Sequence, residues 1–77
     1  EKKFDLIFAD PPYNKNYIST VFAFILKNEL LNKNGLLVVE EDKKSKIIED
    51  ENFELICKKI YGNSQVLFFQ FKLRSLK

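Results

Sequence analysis

The sequence predicts an α/β fold with the element order β-α-β-α-β-β, in which the last strand is antiparallel. Two apolar runs, Phe4–Ala9 and residues 36–39, have the composition of strands buried in a parallel sheet. The segment between them has the apolar spacing of a helix, so the three elements form a βαβ unit. Two further strand patterns follow, and the turn between them is too short for a crossover helix.

Each predicted element has its own sequence signal. Residues 14–31 carry helical spacing, and Gly35 is suited to the left-handed conformation that ends a helix. The charged residues 40–44 predict a solvated loop, and residues 45–51 a short helix with Ile47 and Ile48 facing inward. Phe53–Tyr61 predicts a third strand with Phe53, Leu55 and Cys57 on one face. Residues 62–64 predict a turn, and residues 66–73 an antiparallel fourth strand.

Composition excludes several classes of function. The chain has 77 residues, one cysteine and no histidine, which excludes histidine-based acid–base catalysis, a histidine-dependent triad, a histidine-rich zinc site and an intrachain disulfide. Cys57 lies in an apolar run, so a packing role is expected, and a lone cysteine without a signal peptide fits a cytoplasmic location. No run is long enough for a membrane span. The net charge of +2 is compatible with nucleic acid without arguing for it.

Asp10-Pro11-Pro12-Tyr13 is the motif that carries chemistry, because it follows the first predicted strand, where α/β sheets bind ligands. The carboxylate of Asp10 and the rigidly held carbonyl of Pro11 can accept hydrogen bonds from an exocyclic amino group. Tyr13 offers a flat face on which a base can stack. The alternative is a Pro-Pro turn that only ends the strand.

These residues resemble motif four of the class I S-adenosylmethionine-dependent amino-methyltransferases, which reads Asp or Asn, then Pro-Pro, then Tyr or Phe. Residues 4–15, 35–40 and 61–64 look most like the bacterial small-subunit ribosomal RNA guanine-N2 methyltransferases. The resemblance implies the C-terminal half of a Rossmann-like sheet whose final strand is reversed and inserted between its neighbours. It also implies S-adenosyl-L-methionine as cofactor, and 16S ribosomal RNA or the small ribosomal subunit as partner.

The resemblance and the predicted sheet edge together give the candidate site residues. Asp10, Pro11, Pro12 and Tyr13 are the candidate catalytic residues, and Asp10 also borders the cofactor. The candidate substrate-binding residues are Tyr13, Asn14, Lys15, Tyr61 and Asn63. Glu40 should lie on the same rim as Asp10. Simpler roles stay open: Lys15 as a solvated lysine, Glu40 as a strand end, and Gly62 and Asn63 as turn formers.

One departure from the family is large. The glycine-rich first motif and the acidic residue that binds the cofactor's ribose are missing, since the chain has only Gly35 and Gly62. The first residue is Glu1 and not Met. We therefore expect residues 1–77 to be the C-terminal portion of a methyltransferase domain, inactive alone. The alternatives are a DNA adenine-N6 methyltransferase and a non-catalytic α/β module that binds nucleic acid or protein.

The topology also predicts an uncovered sheet face. Two right-handed crossovers would place both helices on one face. The other face would expose apolar side chains, among them those of Phe4–Ala9, so self-association or marginal stability is expected.

Overall fold

The computed structural model describes residues 2–10 and 17–73, which form four strands and one helix. They are β1 (Phe4–Ala9), α1 (Ile18–Asn28), β2 (Leu31–Asp42), β3 (Phe53–Tyr61) and β4 (Ser64–Phe71). The predicted bounds of the first and third strands are confirmed. The second strand is much longer than predicted, because it includes residues 31–35, expected to end the helix, and residues 40–42 of the expected charged loop.

The sheet has the order β1-β2-β4-β3. β1 and β2 are parallel and joined through α1, whereas β4 is antiparallel to both β2 and β3. The last strand is therefore reversed and lies between its neighbours, as the family resemblance implied. Because β1, β2 and β3 run in the same direction, their carboxyl ends meet at one edge of the sheet, which we call the rim.

Helix α1 ends earlier than predicted. Glu29 adopts the left-handed conformation, with φ of 51°, and its N–H donates to the carbonyl of Leu26. The N–H of Leu30 donates to the carbonyl of Ile25 at 3.1 Å, so carbonyls of the last turn are satisfied without glycine. The prediction that Gly35 ends the helix is wrong. A charged residue supplies the left-handed position instead, at a steric cost that the sequence pattern did not indicate.

Gly35 lies inside β2, where it makes room for Leu31. A Cβ atom at this position would lie 2.6 Å from Leu31 Cδ1, which is closer than real contacts allow. The pairing of β1 with β2 is irregular here, since Phe4 is opposite Leu31 while Leu6 is opposite Leu36. The glycine therefore fits a bulged section of strand in which the backbone folds close to a side chain.

One face of the sheet packs against α1. The buried core comprises Ile18, Phe22, Ile25, Leu31, Leu37, Val39, Phe53, Leu67 and Phe69. Phe22 stacks on Phe53 at 4.4 Å between ring centroids and meets Phe69 edge-on at 5.0 Å. Aromatic pairs in these geometries add about 0.5–1.5 kcal/mol each to the stabilisation from burial. This cluster joins the helix to the two strands furthest from β1.

The predicted second helix does not form. Residues 46–50 have no regular structure, although Ile47 and Ile48 are half-buried against the core as expected. The segment is too short to recover the cost of helix nucleation. Local polar contacts compete as well, because the carboxylate of Asp50 accepts a hydrogen bond from the N–H of Asn52 at 2.8 Å.

The opposite face of the sheet carries exposed apolar side chains. Phe4 is 52% exposed, and Leu6 and Phe8 are each 60% exposed. Phe8 is opposite Val38, and Val38 is opposite Phe68, so these side chains form a row across three strands. The prediction of an uncovered apolar face is confirmed for β1, whereas Val38 of β2 is buried and Phe68 of β4 is half-buried. We call this side of the sheet the open face.

A bulge in β3 overturns the predicted environment of Cys57. Leu55 is opposite Phe69 and Cys57 is opposite Phe68, so Ile56 is an extra residue in β3. The extra residue moves Cys57 to the open face, where it is exposed. Packing of Cys57 with Phe53 and Leu55 was therefore a wrong prediction, because simple alternation along a strand does not survive a bulge.

Candidate active site

Asp10 lies at the carboxyl end of β1. The residue before it, Ala9, pairs with Val39 of β2, and the Asp10 side chain is exposed. This is the edge at which open α/β sheets bind ligands. Five of the other predicted site residues, Pro11, Pro12, Tyr13, Asn14 and Lys15, lie outside the described residues.

Glu40 is the nearest predicted rim residue to Asp10. It follows Val39 in β2, so it occupies the level that Asp10 occupies after β1, and its side chain is half-buried. β2 does not end there, since it continues to Asp42, which pairs with Ser64. Glu40 is therefore a strand residue on the open face, opposite Val66, and the strand ends two residues later.

Tyr61 and Asn63 lie on the same rim but far from Asp10. Gly62 has φ of +56°, in the left-handed region that a two-residue hairpin turn requires. β2 and β4 stand between β1 and this hairpin, so three strand spacings separate Asp10 from Tyr61 laterally, about 14 Å. The structure thus brings Asp10 beside Glu40 and leaves Tyr61 and Asn63 on the same rim, three strands away from Asp10.

The turn after β2 is held by hydrogen bonds to the hairpin. The N–H of Lys43 donates to the carbonyl of Asn63 at 3.0 Å. The N–H of Lys44 donates to Asp42 Oδ1 at 2.9 Å, and the N–H of Ser45 donates to the carbonyl of Asp42 at 2.9 Å. We call residues 43–45 the basic turn, since two exposed lysines begin it.

Gln65 fixes the basic turn from beneath. Its side chain is 2% exposed, and Nε2 donates to the carbonyls of Asp42 at 3.2 Å and Ser45 at 3.1 Å. Sequence analysis missed this residue. The available signal was a polar residue beside the apolar run of the fourth strand, where a buried amide must find partners.

Glu41 is a second feature that the sequence analysis missed. It pairs with Gln65 on the core face and is 9% exposed, yet its Oε2 has no hydrogen-bond partner among the described residues. Burial raises the pKa of the Glu41 carboxyl above its ordinary value. Burial therefore shifts this carboxyl towards its neutral form, relative to a carboxyl in water, at a point of the core close to the rim.

Among the described residues, a cavity of about 190 Å³ lies at the end of the strands opposite the rim, between Lys3, Leu31 and Phe71. Within residues 2–10 and 17–73, no group of acidic or cysteine side chains could hold a metal ion. The one helix in that part of the chain lacks the length and hydrophobicity to cross a membrane.

The sheet order, the reversed inserted strand and an acidic residue at the end of β1 define a Rossmann-like methyltransferase fold. A Haemophilus influenzae protein described as a methylase has the same fold in its crystal structure, with a TM-score of 0.76 and 30% identity. The match covers 91% of this chain and 44% of that one. The chain belongs to the family named conserved hypothetical protein 95, whose model matches residues 1–70.

Two curated relatives carry methyltransferase names. An uncharacterized methylase of Rickettsia prowazekii is 39% identical over 70 residues, which is 91% of this chain and 30% of the relative. The ribosomal RNA small subunit methyltransferase D of Buchnera aphidicola is 31% identical over 68 residues, which is 88% of this chain and 36% of the relative. The chain thus spans about a third of the length of the curated relatives it matches.

Proposed function

We propose that this chain is the C-terminal portion of a methyltransferase domain that methylates an exocyclic amino group in ribosomal RNA. The proposed target is N2 of a guanine in 16S ribosomal RNA, modified in the cytoplasm during rRNA processing. The observation that carries the proposal is the position of Asp10, exposed at the carboxyl end of β1 in a methyltransferase fold.

The chemistry of an amino nitrogen explains what Asp10 would contribute. The lone pair of such a nitrogen is delocalised into the base, so the group is a poor nucleophile. The Asp10 carboxylate would accept a hydrogen bond from the amino group, hold it in one orientation and stabilise the positive charge that develops on nitrogen. Asp10 need not be a strong base, because the amino protons become acidic as that charge develops.

Residues 2–10 and 17–73, which the structure describes, do not form a cradle for S-adenosyl-L-methionine. Neither glycine is available for one, because Gly35 lies under Leu31 within β2 and Gly62 turns the β3–β4 hairpin. In the proposal, the preceding part of the whole protein binds most of the cofactor, and Asp10 borders it only at the amino group to be methylated. The 77 residues alone are expected to be inactive.

Ribosomal RNA is proposed over DNA because the named relative from Buchnera aphidicola is a ribosomal RNA small subunit methyltransferase. The test uses the intact protein, labelled S-adenosyl-L-methionine and three acceptors prepared from cells that lack the gene. These are naked 16S ribosomal RNA, assembled small subunits and genomic DNA.

The expected product is N2-methylguanosine in nucleoside digests of one or both RNA acceptors. Methyladenine in the DNA digest with unlabelled RNA would instead establish a DNA enzyme. Absence of label from all three acceptors would favour the non-catalytic alternative and would overturn the proposal.

A further inference from the structure

We propose that the basic turn and the adjoining end of β3 form a docking surface for the phosphate backbone of the RNA. The surface consists of Lys43, Lys44 and Lys59, with Tyr61 as a stacking platform for an unpaired base. This inference rests on the proposed function. The surface would bind RNA that flanks the nucleotide held at Asp10.

The backbone of the basic turn is rigid before RNA arrives. Its carbonyl and N–H groups are tied to Asp42, Asn63 and Gln65 by four hydrogen bonds of 2.9–3.1 Å. Gln65 is buried, and its side-chain amide donates to the carbonyl of Ser45 in the turn and to that of Asp42 just before it. A surface turn held in this way presents its lysines from a fixed backbone, which lowers the entropy lost on binding.

The bulge at Ile56 brings the other two side chains to the open face. Lys59 is opposite Val66, and Tyr61 is opposite Ser64, so both lie on the face away from α1. Regular alternation from Leu55 would have pointed them to the α1 face instead. Tyr61 is 60% exposed, which leaves its ring free to stack on a base.

The charges of the surface are available to phosphate. Lys43, Lys44 and Lys59 are exposed, and none of them makes an ion pair with a carboxylate of the described residues. Asp42, the nearest carboxylate in sequence, already accepts the N–H of Lys44. The half-buried Glu40 lies in the same cross-strand row as Lys59, since both are opposite Val66, but two strand spacings, about 10 Å, separate them and they form no ion pair. Proteins that bind single-stranded nucleic acid combine basic side chains with exposed aromatic rings, and this end of the rim offers both.

The lateral distance between the two ends of the rim assigns them different tasks. About 14 Å separates Asp10 from Tyr61, which is too far for both to hold one base. Phosphate contacts at the hairpin would set the position of the RNA along the rim without reading its sequence. Selection of the nucleotide would then depend on the part of the site near Asp10.

The test measures RNA affinity of the intact protein as a function of salt. The variant K43A/K44A/K59A should bind a small-subunit RNA fragment more weakly. The negative slope of log K against log salt should also become shallower by about 2, since each of the three lost phosphate contacts contributes roughly 0.7 to its magnitude. The charge-retaining variant K43R/K44R/K59R should keep the wild-type slope, which separates loss of charge from loss of fold.

A matched control removes three exposed lysines from the opposite edge, Lys3, Lys27 and Lys33. This control should keep the wild-type salt slope. In a separate pair of variants, Tyr61→Ala should weaken RNA binding roughly tenfold, whereas Tyr61→Phe, which keeps the ring, should not. The proposed docking surface would be wrong if K43A/K44A/K59A kept the wild-type salt slope, or if the control variant lost as much RNA affinity as K43A/K44A/K59A. Binding with the expected slopes but without methyl transfer by the wild-type protein would overturn the proposed function and leave the surface standing.

Discussion

The ring of Phe22 in α1 lies on the ring of Phe53 in β3, with the centroids 4.4 Å apart and the planes 13° from parallel. Both side chains are buried, and Phe69 closes the cluster edge-on. Phe22→Ala should therefore destabilise the protein by about 3–5 kcal/mol, because it removes a large ring and leaves a cavity. Denaturant unfolding of the intact protein measures this loss.

Phe24 is the control for that experiment, since it lies on the same helix and is 60% exposed. Phe24→Ala should change stability by no more than about 0.5 kcal/mol. Equal losses in the two variants would show that the cluster around Phe22 is not the packing centre of this fold.

Asp10→Ala should lower the turnover number of the intact enzyme by about 10²–10³-fold, because a hydrogen-bond acceptor for the amino group is lost. Asp10→Asn should fall between wild type and Asp10→Ala, since it keeps one acceptor oxygen. Cofactor affinity, measured by calorimetry, should change little. Glu54→Ala removes an exposed carboxylate from the far end of β3 and should leave turnover unchanged. Near-normal turnover in Asp10→Ala would show that Asp10 only ends the strand and takes no part in catalysis.

Gly62 occupies the left-handed region, with φ of +56°, and a Cβ there would meet no atom within 4 Å. The cost of a side chain is therefore one of backbone conformation alone. Gly62→Ala should destabilise the protein by about 1–2 kcal/mol, while Gly62→Asn should cost less, because asparagine tolerates this conformation. Thermal unfolding of the pair checks the order. Equal melting temperatures for the two variants would contradict it.

Glu41 should make stability depend on pH. Burial raises the pKa of its carboxyl in the folded state, so its contribution is fully present below its ordinary pKa and is lost as pH rises through the raised value. Glu41→Gln should therefore raise the melting temperature at pH 8, and the gain should shrink towards pH 4. Glu54→Gln, an exposed position, controls for loss of one negative charge. A gain independent of pH would contradict the assignment to Glu41.

The open face should drive self-association of the 77-residue chain. Phe8 lies on this face in the edge strand β1, beside Val38, and is 60% exposed. Phe8→Ser should shift the chain towards monomer in sedimentation, because it removes a large ring from an apolar patch. Phe24→Ser, equally exposed but on α1, should have a smaller effect. A wild-type chain that is monomeric at all concentrations would contradict the prediction.

Sequence patterns identified the elements whose signals are local. The apolar run of β1, the alternation and turn of the β3–β4 hairpin, and the helical spacing of Ile18, Phe22 and Ile25 each correspond to an observed element. The position of Asp10 at a strand end followed from the same run. The insertion of β4 between β2 and β3 could be predicted only from the family resemblance, since no local sequence pattern encodes strand order.

The errors arise where tertiary contacts override local preference. Gly35 looked like a helix end, but its lack of a side chain serves the contact with Leu31. Ile56 gave no sign of a bulge, so the faces of Cys57, Lys59 and Tyr61 were not predictable from alternation. Gln65 and Glu41 face each other across β4 and β2, and their burial depends on a register that only the folded sheet fixes.

The central position of β4 has a consequence for biosynthesis. β4 is made after the other three strands, yet in the described sheet it supplies the contact between β3 and β2. Until β4 leaves the ribosomal exit tunnel, β3 has no strand to pair with in the described sheet. The ring of Phe53 is then not held against α1. Nascent chains that stall before Ser64 should consequently need a chaperone to cover the unpaired β3. Release of β4 should then let the β3–β4 hairpin pair with β2 in a single late step.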